Sequence, residues 1–385
     1  MIRIVTTFGG KNPHPNFLVG GMACTIDPSH SESINQVQVD QVQGWIAETL
    51  DFVTNCYLPD ALAIVGVYKE YFDIGASTPN FLAVGLSGTV FSGNPADATI
   101  PDGGVKPGVI WDMKLDAVED FDPAKVEEWV TSAWYSYEGG DIGLTPDKGE
   151  TTPIPDVVPR PPYAMAEGDG KTWLSDNDKY TWCKAPRYNG KPVQVGPLAR
   201  VVLAYARGHK RTTELVDLAI KTLGITAAQL NSTAGRALAR CVEAVISAEM
   251  LANETFPAFV AGLKDGDIDV FDASKWDPSS WPSQCSGYSF VEVARGNLSH
   301  WVTIENGAIA RYQAVVPTTW LAGGRDSQGQ IGPYEHALAG NKQHPLVDPK
   351  QPLEVLRTIH SFDPCMSCAV HVLDPSGDEL QAVVS

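Results

Sequence analysis

The chain has 385 residues, of which 43% are hydrophobic and 19% charged. This excludes a disordered chain and leaves room for one large core or two smaller ones. The formal net charge is -18, from 46 acidic against 28 basic residues, and such a field excludes nucleic acid as a partner. No unbroken stretch approaches the ~20 apolar residues of a bilayer span, and Met1–Gly10 lacks a charged-then-apolar leader. No direct membrane span is expected, and export would depend on a partner.

Ile2–Thr7 alternates, so a short strand is expected, followed by a Gly/Pro-rich turn over Gly9–Pro15. Gln36–Cys56 carries apolar residues at helical spacing, and Leu58–Asp73 reads as a second helix with Pro59 near its start. Phe81–Phe91 and Gly108–Leu115 read as strands. Glu138–Lys171, rich in Gly, Pro and Asp, reads as a long surface loop and a boundary. It separates a mixed region, 1–137, from a helical core with a β region, 172–371.

Beyond it, Pro197–Gly208, Thr212–Gly224 and Ile225–Lys264 show helical patterns. Ser289–Val293, Trp301–Ile304 and Ile309–Val316 read as strands, with a turn at Glu305-Asn306-Gly307. Leu353–His360 is a short helix, and Val370–Val384 a hairpin around Asp374–Asp378. The fold class expected is α+β, mainly α-helical, with small β-hairpins and sheets.

Seven cysteines make a disulfide framework improbable in a chain this long. Cys24, Cys56, Cys183, Cys241 and Cys285 stand singly and read as small buried hydrophobes. Cys365 and Cys368 alone form a close pair, in Asp363-Pro364-Cys365-Met366-Ser367-Cys368-Ala369-Val370-His371. Two thiolates at this spacing can face one metal and suit zinc, nickel or iron. A structural zinc needs two further ligands, and no second CxxC exists here. Spacing alone leaves zinc, a redox dithiol and a structural accident open.

The run Asp363–His371 resembles the DPCxxCxxH signature of nickel–iron hydrogenase large subunits. Further segments agree in order. Gly9–Pro15 resembles that family's GGKxPHP, Gly196-Pro197-Leu198-Ala199-Arg200 its VGPLAR, and Ala294-Arg295-Gly296 with His300-Trp301 its APRGALGHW. Tyr312–Trp320 resembles its YQCVVPTTWN, and Arg357–Cys365 its RTIHSFDPC. The resemblance covers essentially the whole chain and looks nearest to membrane-bound uptake enzymes.

That resemblance implies a hydrogenase large-subunit fold, C-terminal portion, and reversible oxidation of dihydrogen. It implies a nickel–iron centre whose iron carries CO and cyanide ligands, with Cys365 a terminal nickel ligand and Cys368 a bridging one. Dihydrogen is a very weak acid, and splitting it needs a Lewis-acidic metal beside a base. Arg295 matches the arginine over the open metal position, and Asp363 would support it; the alternative for Arg295 is an ion pair, with Asp363 as partner. Pro317 and Thr318 match residues bonding an iron cyanide; read by themselves they end a strand. His371 matches a ligand of a buried magnesium-type ion, against an exposed hairpin histidine. His14 matches a loop facing the small subunit, against a packing or turn-stabilising role.

The implied partners are a small subunit with iron–sulfur clusters and a maturation protease or chaperone. The family's RxCGxC motif is absent from this sequence, so the resemblance also implies a chain supplying that half of the nickel ligands. Val372–Ser385 resembles a precursor tail removed on maturation. The expected location is membrane-associated at the periplasmic face when assembled, and cytoplasmic as precursor. Ala294 stands where the family usually has proline, and Leu321 where it has asparagine. The rival readings are a truncated, non-catalytic fragment binding maturation proteins, and a zinc protein using Cys365, Cys368 and His371.

Overall fold

The computed structural model describes residues 1–12, 15, 17–18, 21–22, 26–92, 104–137, 142–149, 151–153, 179–266, 272–339, 347–348, 351–365, 372–373 and 379–380. It divides into two compact units. The first comprises Met1–Ile64, Cys241–Cys285 and Ile304–Ile309; the second comprises Val65–Arg240, Ser286–Thr303 and Ala310–Ser385.

In the first unit, Ile2–Gly9 is a helix, which corrects the expected strand. Over so few residues the alternation at Ile2 and Ile4 fits both periods, and packing decides. Helical spacing puts Ile4 and Phe8 together in one cluster with Val39, Val42, Ile46 and Phe256. Phe8 meets Phe259 edge-on at 5.4 Å. Thr6 and Thr7 donate their hydroxyls to the carbonyls of Ile2 and Arg3, which reconciles both with a helix. Gly10, at φ 75°, stops it.

Asn35 and Gln38 form a capping box that starts the helix Gln36–Phe52. A wide turn, Val53–Tyr57, then leads directly into Leu58–Val67. The helix Thr233–Met250 behaves likewise, passing through Leu251–Thr255 into Phe256–Asp265. Each wide turn immediately precedes a proline-bearing turn, with Pro59 and Pro257 at the second position of the renewed helix. Widening the turn moves the carbonyl four residues back out of the ring's way, so neither proline ends its helix.

The continuous helix Gln36–Val67 is long and apolar enough to cross a membrane by length and composition. It meets that test over an 18-residue stretch without an unbroken apolar run, which is why no span was expected from the sequence. Asp40, Glu48, Asp51 and Asp60 lie along it, and a carboxylate deep in hydrocarbon costs roughly 3 kcal/mol or more. Val39, Val42 and Ile46 are already buried in the core of the first unit.

The second unit has its own core, built from Leu82, Val84, Val109, Val193, Phe290, Trp301, Trp320 and Phe362 among others. Phe81–Ala83, Gly108–Ile110 and Val118–Asp120 form an antiparallel sheet in that order. Val126–Trp129 pairs with Ala185–Tyr188. A four-stranded sheet takes the order Ala308–Val315, Gly296–Glu305, Gln284–Val293, Val90–Ser92. The strand expected over Phe81–Phe91 is thus two strands in two sheets. Gly85 and Gly88, at φ 148° and 84°, break the extended chain between them. The strand at Gly108 stops at Ile110, before Asp112 and Met113, whose φ values of 51° and 57° no strand accommodates.

Asn306 and Gly307, both at positive φ, close the hairpin at the expected turn. The helix Leu353–His360 also stands where the pattern puts it. Most of the loop expected over 138–171 lies outside the described residues, but Thr151–Pro153 within it pairs with Tyr135–Tyr137. Val372–Leu373 pairs with Glu379–Leu380, and the turn expected at Asp374–Asp378 lies outside the described residues. The architecture is α+β, helices with small antiparallel sheets.

Among the described single cysteines only Cys241 is buried. Cys56 is exposed, Cys183 and Cys285 are intermediate, and Cys24 lies outside the described residues. Among the described ones, the reading as a buried hydrophobe holds for Cys241 alone.

Candidate metal centre

The helix Leu353–His360 delivers the cysteine loop. It ends because Pro364 follows, and the intervening turn is closed by Phe362 and Asp363, whose N–H groups donate to the carbonyls of Ile359 and His360 at 3.1 and 2.9 Å. Asp363 takes φ 59°, an uncommon conformation that an aspartate tolerates better than most residues. Cys365 emerges from this turn as an exposed free thiol.

Two other segments meet the loop. The strand Ala308–Val315 runs into the helix Pro317–Ala322, with Pro317 at its first position, where a missing N–H costs nothing. Thr318 is buried, and its Oγ1 accepts from the N–H of Cys365 at 3.4 Å. Arg295 lies in the short connection between the strands Gln284–Val293 and Gly296–Glu305. Its Nε donates to the carbonyl of Asp363 at 2.9 Å, and its Nη2 stands 3.4 Å from Asp363 Oδ1. The guanidinium and carboxylate are each about two-fifths exposed (41% and 39%), so this ion pair does not shut the loop from solvent.

The structure therefore gathers Arg295, Asp363, Thr318 and Cys365 around one turn, with Pro317 buried beside Thr318. The ion pair foreseen as the alternative for Arg295 is present, and it aims the guanidinium at the same loop. Cys368, His371 and His14 lie outside the described residues.

Several residues that sequence reasoning passed over build the floor of this site. Arg236 is fully buried and lies 3.8 Å from the centre of the Phe362 ring. It donates to Ser361 Oγ at 2.7 Å and to the carbonyl of Gly75 at 2.7 Å. Burial, and then the neighbouring Arg240, push its guanidinium down to about 9. Arg240 in turn donates to the carbonyl of Ser361 at 3.2 Å. On the other side, the fully buried Arg200 and Glu292 pair at 2.8 Å. Burial pushes the Glu292 carboxyl upward, while Arg200 pulls it the other way. A signal was available for Glu292: a carboxylate inside Phe290-Val291-Glu292-Val293 cannot be buried without a partner.

Cys365 offers a soft donor, exposed, with the Thr318 hydroxyl at its backbone N–H and the Arg295 guanidinium on Asp363 two residues before it. That chemistry suits a thiophilic metal such as nickel or iron approached from one open side. Among the described residues, no cluster of three or more His, Cys, Asp or Glu could hold an ion, so the described residues do not close a site by themselves.

A family model described as nickel-dependent hydrogenase matches residues 1–371. The Hydrogenase-1 large chain of Escherichia coli (strain K12) is 39% identical, covering 100% of this chain and 64% of the relative. The uptake hydrogenase large subunit of Rhizobium leguminosarum bv. viciae is 38% identical, again covering 100% and 64%. Among solved structures, the H2-activated [NiFeSe]-hydrogenase of Dm. baculatum gives a TM-score of 0.71 at 28% identity, over 96% of this chain and 66% of that one. The Ni-Fe-Se hydrogenase from D. vulgaris Hildenborough in the reduced state gives 0.68 at 28%, over 96% and 67%. The chain thus spans 64% of the length of these curated relatives.

Proposed function

The chain belongs to the nickel-dependent hydrogenase family, and from that premise we propose that it is the C-terminal part of a large subunit that oxidises dihydrogen reversibly. The observation that carries this is the convergence of Arg295, Asp363 and Thr318 on the turn that presents the Cys365 thiol. Cys365 and Cys368 would hold nickel, and His371 a magnesium-type ion. The iron, with CO and cyanide ligands, would face Pro317 and Thr318. Bound there, the metal centre supplies the Lewis acidity that makes dihydrogen acidic enough to split.

The protein's part is positioning and charge. The Asp363 carbonyl fixes the Nε of Arg295, and the carboxylate balances its charge from one side. The remaining edge of the guanidinium is then free to polarise a small ligand beside the thiolate. Thr318 Oγ1 accepts from the Cys365 N–H; its own hydroxyl hydrogen can point toward a metal ligand.

A small subunit with iron–sulfur clusters would take the electrons, and a segment with RxCGxC would supply the other two thiolates. The assembled enzyme would sit at the periplasmic face of the membrane, exported with its small subunit, the precursor being cytoplasmic. A protease would remove Val372–Ser385, and the family match, which ends at residue 371, supports this.

Metal analysis with intact mass, on the chain purified from its own cells with its partners, tests the reading. Nickel at one per chain, iron beyond the cluster iron, and a mass ending at His371 support it. The rival reading is a non-catalytic fragment that binds maturation proteins. A nickel-free chain that retains Val372–Ser385 would establish that reading instead.

A further inference from the structure

Arg295 can act on a bound molecule only if its backbone is held. The connection that carries it is short: one strand ends at Val293 and the next begins at Gly296. Such a turn would ordinarily face solvent and move. Here it is gripped from behind by a single guanidinium. Arg200 Nη1 donates to the carbonyl of Val293 at 2.8 Å, and its Nη2 to the carbonyl of Ala294 at 3.1 Å. The same Nη1 donates to Glu292 Oε2 at 2.8 Å. The other oxygen of Glu292 accepts from the N–H of Val84 at 2.8 Å and from Asn297 Nδ2 at 3.3 Å. Both side chains of the pair are fully buried, at 0% exposure.

The backbone is interlocked as well. A Cβ on Gly196 would lie 2.9 Å from the carbonyl oxygen of Arg295, and one on Gly296 would lie 2.8 Å from the N of Gly196. The segment Gly196–Arg200 therefore braces the turn twice, once through glycine and once through arginine.

We propose that Arg200 and Glu292 are positioning residues, a buried ion pair that fixes the backbone at 293–294 and so aims Arg295 at the metal loop. This rests on the function proposed above. Stability alone does not call for such a pair, since buried ion pairs are often replaceable by apolar side chains of similar volume. An apolar side chain cannot hold two adjacent carbonyl oxygens. Glu292 supplies the charge that lets the guanidinium stay buried, and is itself anchored at Val84 and Asn297. Arg200 bonds the carbonyls of Val293 and Ala294, immediately before Arg295, and through them bears on that side chain.

The test uses the enzyme assembled with its partner chains, with Arg200→Lys, Glu292→Gln, Arg295→Lys and the double variant Arg200→Lys/Arg295→Lys. Arg200→Lys and Glu292→Gln are expected to keep nickel and to lower kcat for dihydrogen oxidation by about 10- to 100-fold, the scale of a misplaced group. The double variant is expected to be no slower than Arg295→Lys alone, because the positioning residue has nothing left to position. Additive losses would overturn the proposal, since they would mean an independent structural effect.

A second readout does not depend on the loaded enzyme. In this chain alone, amide hydrogen exchange across Val293–Asn297 should speed up at least tenfold in Glu292→Gln, with Ile359–Phe362 unchanged. Unchanged exchange at Val293–Asn297 would overturn the proposal even where Arg200→Lys fails to fold. Lack of dihydrogen oxidation in the wild-type assembly would count against the proposed function instead, and the exchange experiment would then decide the inference by itself.

Discussion

Gly296 gives the sharpest test of how tightly the arginine turn is built. Its φ is 139°, and a Cβ there would meet Val195 Cγ2 at 2.7 Å and the Gly196 nitrogen at 2.8 Å. The valine methyl can rotate away, but the backbone nitrogen cannot. Gly296→Ala therefore carries two costs. The backbone conformation, essentially reserved for glycine, costs about 1–3 kcal/mol. Forcing apart two packed backbone segments costs a further ~1–3 kcal/mol. The sum, about 2–6 kcal/mol, is a large share of the 5–15 kcal/mol typical of a folded domain.

Gly190 separates the two effects. Its φ is 71°, yet a Cβ there would meet nothing within 4 Å, so Gly190→Ala should cost only the conformational ~1–2 kcal/mol. The assay is urea unfolding followed by tryptophan fluorescence, since Trp301 and Trp320 are buried in the core of the same unit. With a slope of about 3 kcal/mol/M, a 4 kcal/mol loss moves the midpoint by more than 1 M. A Gly296→Ala midpoint equal to that of Gly190→Ala would refute the close interlock of Gly296 with Gly196.

Three further outcomes are expected. Asp326→Asn leaves Arg187, at 0% exposure, without the carboxylate it bonds at 2.7 Å; a loss of about 3–5 kcal/mol follows, read from the same urea transition. Asp120 is held below its ordinary carboxylate value by hydrogen bonds from Lys106 and then Arg207. A depressed folded value stabilises above the unfolded value of 3.8 and is lost as pH falls through the folded one. Asp120→Asn should therefore be the less stable protein at pH 7, by no more than about 1 kcal/mol for so exposed a pair. Melting curves of the two proteins should converge in acid. Finally, Cys365→Ser should abolish nickel binding in the assembled complex while leaving the circular dichroism unchanged, because its side chain is exposed and its N–H, not its thiol, bonds Thr318.

Much of the helical framework was legible because its signals are local. The Asn35–Gln38 capping box, Pro197 at a helix start, Gly224 at a helix end and the Asn306-Gly307 turn each act within a few residues. The candidate site was legible for a different reason. The chemistry of Asp363-Pro364-Cys365 is contiguous, and Arg295, Pro317 and Thr318 sit in runs that match one family's pattern.

What failed was wherever tertiary packing chose between local options. Ile2–Gly9 has a pattern compatible with strand or helix, and the Phe8–Phe259 contact selects the helix. Pro59 reads as the start of a separate second helix, yet a wide turn before it joins that helix to the one preceding, as another does before Pro257. By itself the sequence determined the elements with local stop and start signals, and put Cys365 forward as a candidate soft donor. Only the tertiary structure decided that Arg200 pairs with Glu292, 92 positions away, and Arg187 with Asp326, 139 positions away. Many acids could neutralise either arginine in an unfolded chain. In the fold, burial makes an unpaired charge untenable, so the partner is whichever carboxylate the packing brings to the same dry site.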